Sequence, residues 1–358
     1  MLVPLINLVK SVVNPLNPSH RFFKIFIFAL IGIAAIAIIF KVITPAQTEK
    51  SYVIAITQFV EHPALDEERE AIVKTLRDGL EPEKKLSFVY HNAQGNVATA
   101  VQIAAQITSQ NPKPNLIIAI ATPSAQAAAP EATKHKIPMV FTAVTDPVQA
   151  KLVKSLDIQE PGALITGVSD ALPMKDLLEF VRSFVPHIRT LGVVYNPGES
   201  NSASQIQEMQ KINESMGLTL VLAAVHKTAD VASATESLIG RVDAILVPTD
   251  NTAVAAIESA VLVCEKNAVP IFAADFGSVD RGVVGAIGYA RQVLGQEAGN
   301  IAKEIIKGKS PDQIPVKHSH TMQIKINEQA AARMRVAMPT ALMQKAIIIR
   351  SQKEEQKP

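Results

Sequence analysis

Tryptophan does not occur in this 358-residue chain, tyrosine occurs four times (Tyr52, Tyr90, Tyr195 and Tyr289), and cysteine occurs once. A binding site walled by large aromatic platforms is therefore not expected. The single cysteine, Cys264, excludes an internal disulfide and any CxxC metal or redox site. It stands at helical spacing inside AVAAIESAVLVCEKN and is expected to pack in a core. Charge is sparse as well: charged residues make up 19% of the chain and the net charge is +2. That leaves no basic patch or stripe of the kind nucleic acid needs, so no nucleic-acid partner is expected. Signatures of catalysis are also missing, with no GxSxG elbow, Walker loop, HExxH or GxGxxG. No enzyme activity, metal or cofactor is expected. His318-Ser319-His320 has HxH spacing, but no Cys, Asp or Glu adjoins it, and it reads as the solvated start of a strand. His62, before Pro63, has no evident partner for base chemistry; a turn histidine and a ligand contact both remain open.

What the chain does have is one long apolar run. Ile25 to Phe40, IFIFALIGIAAIAIIF, is sixteen residues without a charge, and extended through Thr44 it reaches twenty. At roughly 1.5 Å per residue that matches a hydrocarbon core of about 30 Å. Lys10, Arg21 and Lys24 precede it, so the positive-inside rule places residues 1–21 in the cytoplasm and the chain after about residue 45 outside. The run is longer than the apolar region of most signal peptides, and ITPAQT offers no crisp small-x-small cleavage site. Residues 22–44 are thus expected to be a transmembrane signal anchor, with a long cleaved signal peptide as the alternative.

From Ser51 on, short apolar runs alternate with amphipathic stretches. Strands are predicted at 52–57, 86–91, 116–121, 138–144 and 163–168, then at 190–196, 218–225, 244–248, 270–274 and 283–288. Helix-like segments such as ALDEEREAIVKTLRDGL and SNSASQIQEMQKINESMG lie between them. Continuous apolar strands imply sheets covered on both faces, hence parallel α/β. Two sets of five with a break near 167–189 predict two doubly wound lobes. An internal echo agrees: LIIAIATPSAQAAAPEATKHKIPMVFTA parallels AILVPTDNTAVAAIESAVLVCEKNAVPIFAAD, each with a proline (Pro138, Pro270) leading into the next strand. The C-terminal IIIRSQKEEQKP mixes charges and reads as a solvated tail, 343–358.

The strand tips carry the functional signal. Gln58 and Phe59 follow the first strand, Thr122 and Ser124 the third, and Thr145 and Asp146 the fourth. In the second half come Asn201 and Ser202, then Thr249, Asp250 and Asn251, then Asp275. In open α/β sheets ligands bind outside the carboxyl ends of the strands. Short hydroxyl, amide and carboxylate groups also cap helices, so each tip has a purely structural reading. Asp250 in PTDN poses the choice most sharply: it caps the next helix or it meets a ligand.

Several segments in order resemble one family: QFVEHPALD (58–66), IATPSAQAAA (120–129), FTAVTDPV (141–148), TGVSD (166–170), YNPGESNS (195–202), PTDNT (248–252) and AADFGSVDRGVVGAIGYARQVLGQEAG (273–299). Together they are similar to the ABC transporter substrate-binding proteins of the tryptophan/tyrosine type, over about residues 51–340. The resemblance implies a type I periplasmic-binding-protein fold with the ligand between two lobes. It implies chain crossings near 166–170, 287–290 and 313–318, so that 51–166 and 289–312 form the N-lobe and 167–288 and 313–342 the C-lobe. It further implies a monomeric, extracytoplasmic receptor that binds a small zwitterion, an amino acid and by the family an aromatic one, and delivers it to a permease. Thr122, Ser124, Asn201 and Ser202 would then hold the carboxylate, Asp146, Asp250 or Asp275 the ammonium, and Gln58 and Phe59 the side chain, with Thr145 and Asn251 at the same tips. Members commonly carry a lipobox cysteine or a plain cleavable signal, whereas this chain has an apolar anchor. A tethered sensor that feeds no permease is the alternative.

The anchor is testable by fractionation. The full chain is expected to sediment with membranes and to resist carbonate extraction, while a chain starting near residue 48 is expected to be soluble and folded. A mature N-terminus near residue 47 in protein recovered from cells would instead establish a cleaved signal.

Overall fold

The computed structural model describes residues 51–80, 85–157, 160–319 and 321–350. The apolar run at 22–44 lies outside them, and among the described residues no helix is long and apolar enough to cross a membrane. Ten strands form where the apolar runs predict them, with ends shifted by at most two residues: β1 (Tyr52–Gln58), β2 (Leu86–Asn92), β3 (Leu116–Ile120), β4 (Met139–Val144) and β5 (Ile165–Ser169), then β6 (Thr190–Tyr195), β7 (Thr219–Ala224), β8 (Ala244–Val247), β9 (Ile271–Ala273) and β10 (Gly285–Gly288). Three further strands, β11 (Lys317–His318), β12 (Gln323–Asn327) and β13 (Ile347–Ile349), complete two sheets.

The first sheet runs β2-β1-β3-β4-β5-β11 and is parallel throughout. The second runs β7-β6-β8-β9-β10-β12-β13. Central strands such as β3, β4 and β8 are wholly buried, which is why their sequences are unbroken apolar runs. Each sheet has its own core, so the chain is built as two lobes. Cys264 packs in the second core, as its helical spacing predicts. The echo between the halves is also structural: Ile117 N–H donates to Pro138 O at 2.9 Å, and Ile245 N–H to Pro270 O at 2.8 Å.

Three expectations are corrected. The second sheet is not all parallel, because β12 returns antiparallel to β10. The presumed tail is not wholly solvated, since Ile347–Ile349 pairs in parallel with β12. The third crossing does not occur at 313–318: Ile314 and Val316 are buried in the first core, Thr166 Oγ1 donates to Ile314 O at 2.8 Å, and β11 pairs with β5. The chain passes between sheets after Ser169, after Gly288 and after His318.

Helices α1 (Pro63–Asp78), α2 (Val97–Ser109) and α3 (Thr122–His135) follow β1, β2 and β3. In the second lobe α4 (Met174–Phe184) and α5 (Ser200–Ile212) flank β6, α6 (Val231–Glu236) follows β7, and α7 (Asn251–Ala255) and α8 (Ile257–Asn267) join β8 to β9. The short α9 (Gly277–Asp280) follows β9, and α10 (Arg291–Ile306) follows the second crossing and returns to the first core.

One close approach fixes how α10 enters that core. A Cβ on Gly295 would drive into the carbonyl oxygen of Glu68 and lie 2.8 Å from Ala71 Cβ. Gly295→Ala therefore has to push α10 away from α1. Overpacking of this kind costs about 1–3 kcal/mol, more than the ~1 kcal/mol gained in helix propensity. A net loss is expected in urea unfolding. A variant more stable than the parent would show that the helices have slack.

Candidate functional site

The carboxyl ends of both sheets meet at one cavity. His62, Leu65, Ala143, Asp170 and Arg291 line it from the first lobe and the two crossings beside it. Asn201, Asp250, Asn251 and Asp275 face them from the tips of the second lobe. The cavity is narrow, with a volume of about 10 Å³. Ligand pockets start at about 300 Å³, so the lobes lie shut on a narrow space.

Arg291, the first residue of α10, is the only cation lining this cavity among the described residues and is buried. Its Nη1 donates to Asp170 Oδ2 at 2.9 Å and reaches Glu68 Oε2 at 3.4 Å. Its Nε lies 3.8 Å from Asp275 Oδ1, across the lobes. Burial works against its charge, but Asp170, Glu68 and Asp275 outweigh burial and hold the guanidinium above its ordinary pKa. Glu68, fully buried on α1, also accepts from Thr142 Oγ1. Burial pushes its carboxyl up to about 7, against the pull of Arg291 and Thr142. Asp170 is further tied by Thr145 Oγ1 at 3.1 Å.

A second network fills the base of the other lobe. Asp250 accepts from Ala253 N–H at 2.7 Å, which caps α7, and from Asn196 N–H and Ser202 Oγ. Both of its oxygens are committed. The PTDN stretch is a cap. Burial, with the charge of Glu199 acting in the same direction, pushes the Asp250 carboxyl up to about 7. Glu199 in turn accepts from Asn251 Nδ2 at 2.6 Å and N–H at 3.1 Å, and from Thr252 Oγ1 at 2.7 Å and N–H at 2.9 Å.

The expected residues divide by place. Asn201, Asp250, Asn251 and Asp275 line the cavity. Ser202 stands behind it on Asp250. Thr122 and Ser124 are buried at the start of α3 with no hydrogen-bond partner for either hydroxyl, but do not line the cavity. Thr145 and Asp146 face a separate groove of about 410 Å³ beside the crossings, where Asp146 Oδ1 accepts from Val148 and Gln149 N–H. Gln58 does not face a ligand space: its amide is tied to Val60 O, Asp66 and Arg69. Phe59 is packed in the first core. Arg291, Asp170, Glu68 and Glu199 were not singled out from the sequence. Glu68 had a signal, since it shares the buried stripe of α1 with Leu65 and Ile72 at helical spacing.

Four buried atoms around the cavity have no hydrogen-bond partner among the described residues: His62 Nδ1, Asn201 Oδ1, and the ion-paired Asp275 Oδ1 and Arg291 Nε, 3.8 Å apart. Buried polar groups are seldom left so. His62 is held neutral, because burial pushes its pKa down to about 4 and Asp275 only partly opposes this. The unfolded chain takes up that proton near 6.5, the folded chain near 4. Stability from a neutral His62 is thus full above about pH 6.5 and lost as pH falls toward 4, by up to roughly 3 kcal/mol. Glu68 and Asp250, both raised to about 7, act oppositely and lose their contribution as pH rises through that value. Comparison with His62→Gln in denaturant cancels them. The advantage of wild type over the variant is expected to grow between pH 4 and 6.5; a constant difference would mean a solvated imidazole.

Comparison with known proteins places this geometry. Residues 53–349 match the family described as ABC transporter substrate binding protein. The tyrosine-binding protein of Clostridioides difficile (strain R20291) is 38% identical over 282 residues, which cover 78% of this chain and 80% of that protein. An ABC domain from Streptococcus pneumonia, solved in complex with L-Trp, is 29% identical with a TM-score of 0.78, covering 84% of this chain and 100% of that one. A substrate binding protein with adhesive properties from Clostridium difficile, solved ligand-free and open, is 32% identical over the same shares with a TM-score of 0.62. The two-lobed α/β architecture is that of type I periplasmic binding proteins. With the match running through nearly the whole of both lobes, the chain belongs to the ABC transporter substrate-binding protein family.

Proposed function

We propose that the protein is the extracytoplasmic receptor of an ABC-type importer, tethered through residues 22–44, which takes an aromatic amino acid between its lobes and closes on it. The observation that carries this reading is the cavity itself: unpartnered polar atoms from both lobes converge on one buried space. The relatives support the ligand class, since one is named for tyrosine and another holds L-Trp. Closure is supported by a contrast. At nearly equal identity and equal coverage, the lobes match the L-Trp complex at 0.78 and the open relative at 0.62.

The parts divide the work. Thr122 and Ser124, buried hydroxyls without partners in the first turn of α3, lie outside the lining of the closed cavity and would meet a carboxylate only with the lobes parted, where the helix N-terminus presents N–H groups and a positive dipole end. Leu65, Ala143 and Val254 supply an apolar wall for the side chain. Short crossings at 170–173 and 289–290, with the passage that follows His318, are the hinges, the kind of few-residue joint that absorbs a lobe rotation.

Calorimetry and small-angle scattering test this together. L-tyrosine or L-tryptophan is expected to bind, to reduce the radius of gyration without changing secondary structure, and to raise stability by about 2.7 kcal/mol at a hundredfold excess over Kd. Binding of neither amino acid would sink the ligand assignment, and binding with an unchanged radius would sink the closure.

A further inference from the structure

Away from the cavity the two lobes touch through uncharged side chains. Ser200, the first residue of α5, donates from Oγ to Gln126 Oε1 of α3 at 3.1 Å. Gln149, in the segment after β4, donates from Nε2 to Gln207 Oε1 of α5 at 3.4 Å. None of the four lines the cavity, and Gln149 and Gln207 line the separate groove from opposite lobes. The arrangement is paired on both sides. Ser200 and Gln207 stand seven residues apart on one face of α5, two helical turns and about 10 Å along its axis. In the first lobe, Gln126 Nε2 donates to Ala150 O at 3.3 Å, next to Gln149 in the chain. That bond leaves Gln126 Oε1 for Ser200 and ties the two first-lobe partners to each other.

Two contacts along one helix fix a rotation as well as a distance. Both bonds are made together only when α5 lies at one angle to the first lobe, the angle of the closed form. We propose that Gln126, Ser200, Gln149 and Gln207 form a polar latch that holds the lobes at that angle and sets how slowly ligand leaves. The latch rests on the reading of the protein as a receptor that closes, and it names what keeps the lobes together outside the ligand space. Its chemistry suits a contact that is made and broken repeatedly. Gln126 and Ser200 are half-buried, and Gln149 and Gln207 are exposed. Water therefore replaces both bonds as the lobes part, and no buried group is stranded. Each bond joins neutral groups and is weak on its own. Both form after the ligand has entered, so they act on its release and not on its capture.

Stopped-flow kinetics with L-tyrosine and L-tryptophan test the latch. Ser200→Ala combined with Gln207→Ala removes one partner of each bond, at helical positions where alanine is favoured. Release is expected to quicken about five- to tenfold, while the association rate stays within about twofold of wild type. Gln210→Ala, at an exposed position on the same helix, is expected to leave release unchanged. Gln149→Lys with Gln207→Glu puts an ion pair in place of the amide pair. It is expected to release ligand more slowly than Gln149→Lys with Gln207→Lys, where like charges meet. Unchanged release in the double alanine variant, or equal release from the two charge pairs, overturns the proposal. A second measurement needs no ligand. Cys264 is buried, so a short bis-maleimide reacts with the thiols of Gln149→Cys and Gln207→Cys. That pair is expected to cross-link within one chain faster than Gln149→Cys with Lys227→Cys, which lies beyond the edge strand β7. Faster cross-linking while neither amino acid binds would sink the ligand assignment and leave the latch standing. Equal rates for the two cysteine pairs overturn the latch, whichever amino acid binds.

Discussion

One buried guanidinium sets the terms for the rest of the molecule. Arginine does not give up its proton in proteins, so Arg291 cannot escape burial by becoming neutral. It has to be met by carboxylates, and they come from separate parts of the chain: Glu68 from α1, Asp170 from the first crossing and Asp275 from the far lobe. Arg291 itself follows the second crossing. Two crossings and both lobes are thereby tied to a single charge, and Tyr289 Oη adds a bond to Ala171 O at 3.0 Å between the same crossings. Breaking such a buried pair from one side typically costs about 3–5 kcal/mol. Small features gain their meaning from this. Gly295 is small because α10 must approach the backbone of Glu68 closely enough to present Arg291 to the carboxylate on the same turn.

The second lobe solves a different problem, how to hold two strand tips in register without a cation. Glu199 and Asp250 are both buried, and among the described residues neither forms an ion pair with a basic side chain. Instead they collect backbone N–H groups, hydroxyls and amides from Asn196, Ser202, Asn251, Thr252 and Ala253. Hydrogen bonds to a carboxylate are stronger than neutral ones, and together they lock the tips of β6 and β8 to each other. Asn201 is positioned by this network, through Glu199 and Thr249 O, rather than by the core. Rigidity on one side and an interlobe charge on the other leave the crossings as the short segments between two locked bodies.

How much of this was legible in the sequence follows from what each signal measures. Buried parallel strands need continuous apolar runs, and ten of them, with their two-lobe grouping, could be read directly. The strands that escaped are those where that requirement lapses. Lys317–His318 is a two-residue edge, QIKIN is half-buried, and Ile347–Ile349 leads into a charged stretch. At the site, polarity at a strand tip marked the right region but not the role. Asp250 and Asp275 look alike in sequence, each followed closely by residues that open a helix. The difference is that Asp250 spends Oδ1 on Ala253 of its own helix and Oδ2 on Asn196 and Ser202, brought in after β6, while Asp275 spends only Oδ2, on Ser278. That distinction is tertiary. Phe59 shows the opposite error, a large apolar residue at a tip that turned inward to the core. Arg291 is the hardest case, because a charged residue opening a helix is unremarkable until its burial is known.

The unpartnered atoms give the closed form its character as a receptor. A buried polar group without a hydrogen bond costs about 1–3 kcal/mol, and two such atoms outside the ion pair, His62 Nδ1 and Asn201 Oδ1, face one cavity from two lobes. When the lobes part, water can reach each of them and the cost disappears. On the proposed function, closure on nothing leaves His62 Nδ1 and Asn201 Oδ1 unsatisfied, and closure on a ligand that supplies the missing partners does not. A ligand shifts an equilibrium only by its differential affinity for the two states. On the proposed function, that differential resides in these polar atoms, because apolar contacts to Leu65, Ala143 and Val254 alone leave their cost in place. An apolar cleft of the same shape would close on water or on itself. The polar atoms left over by folding are what make closure conditional on the ligand.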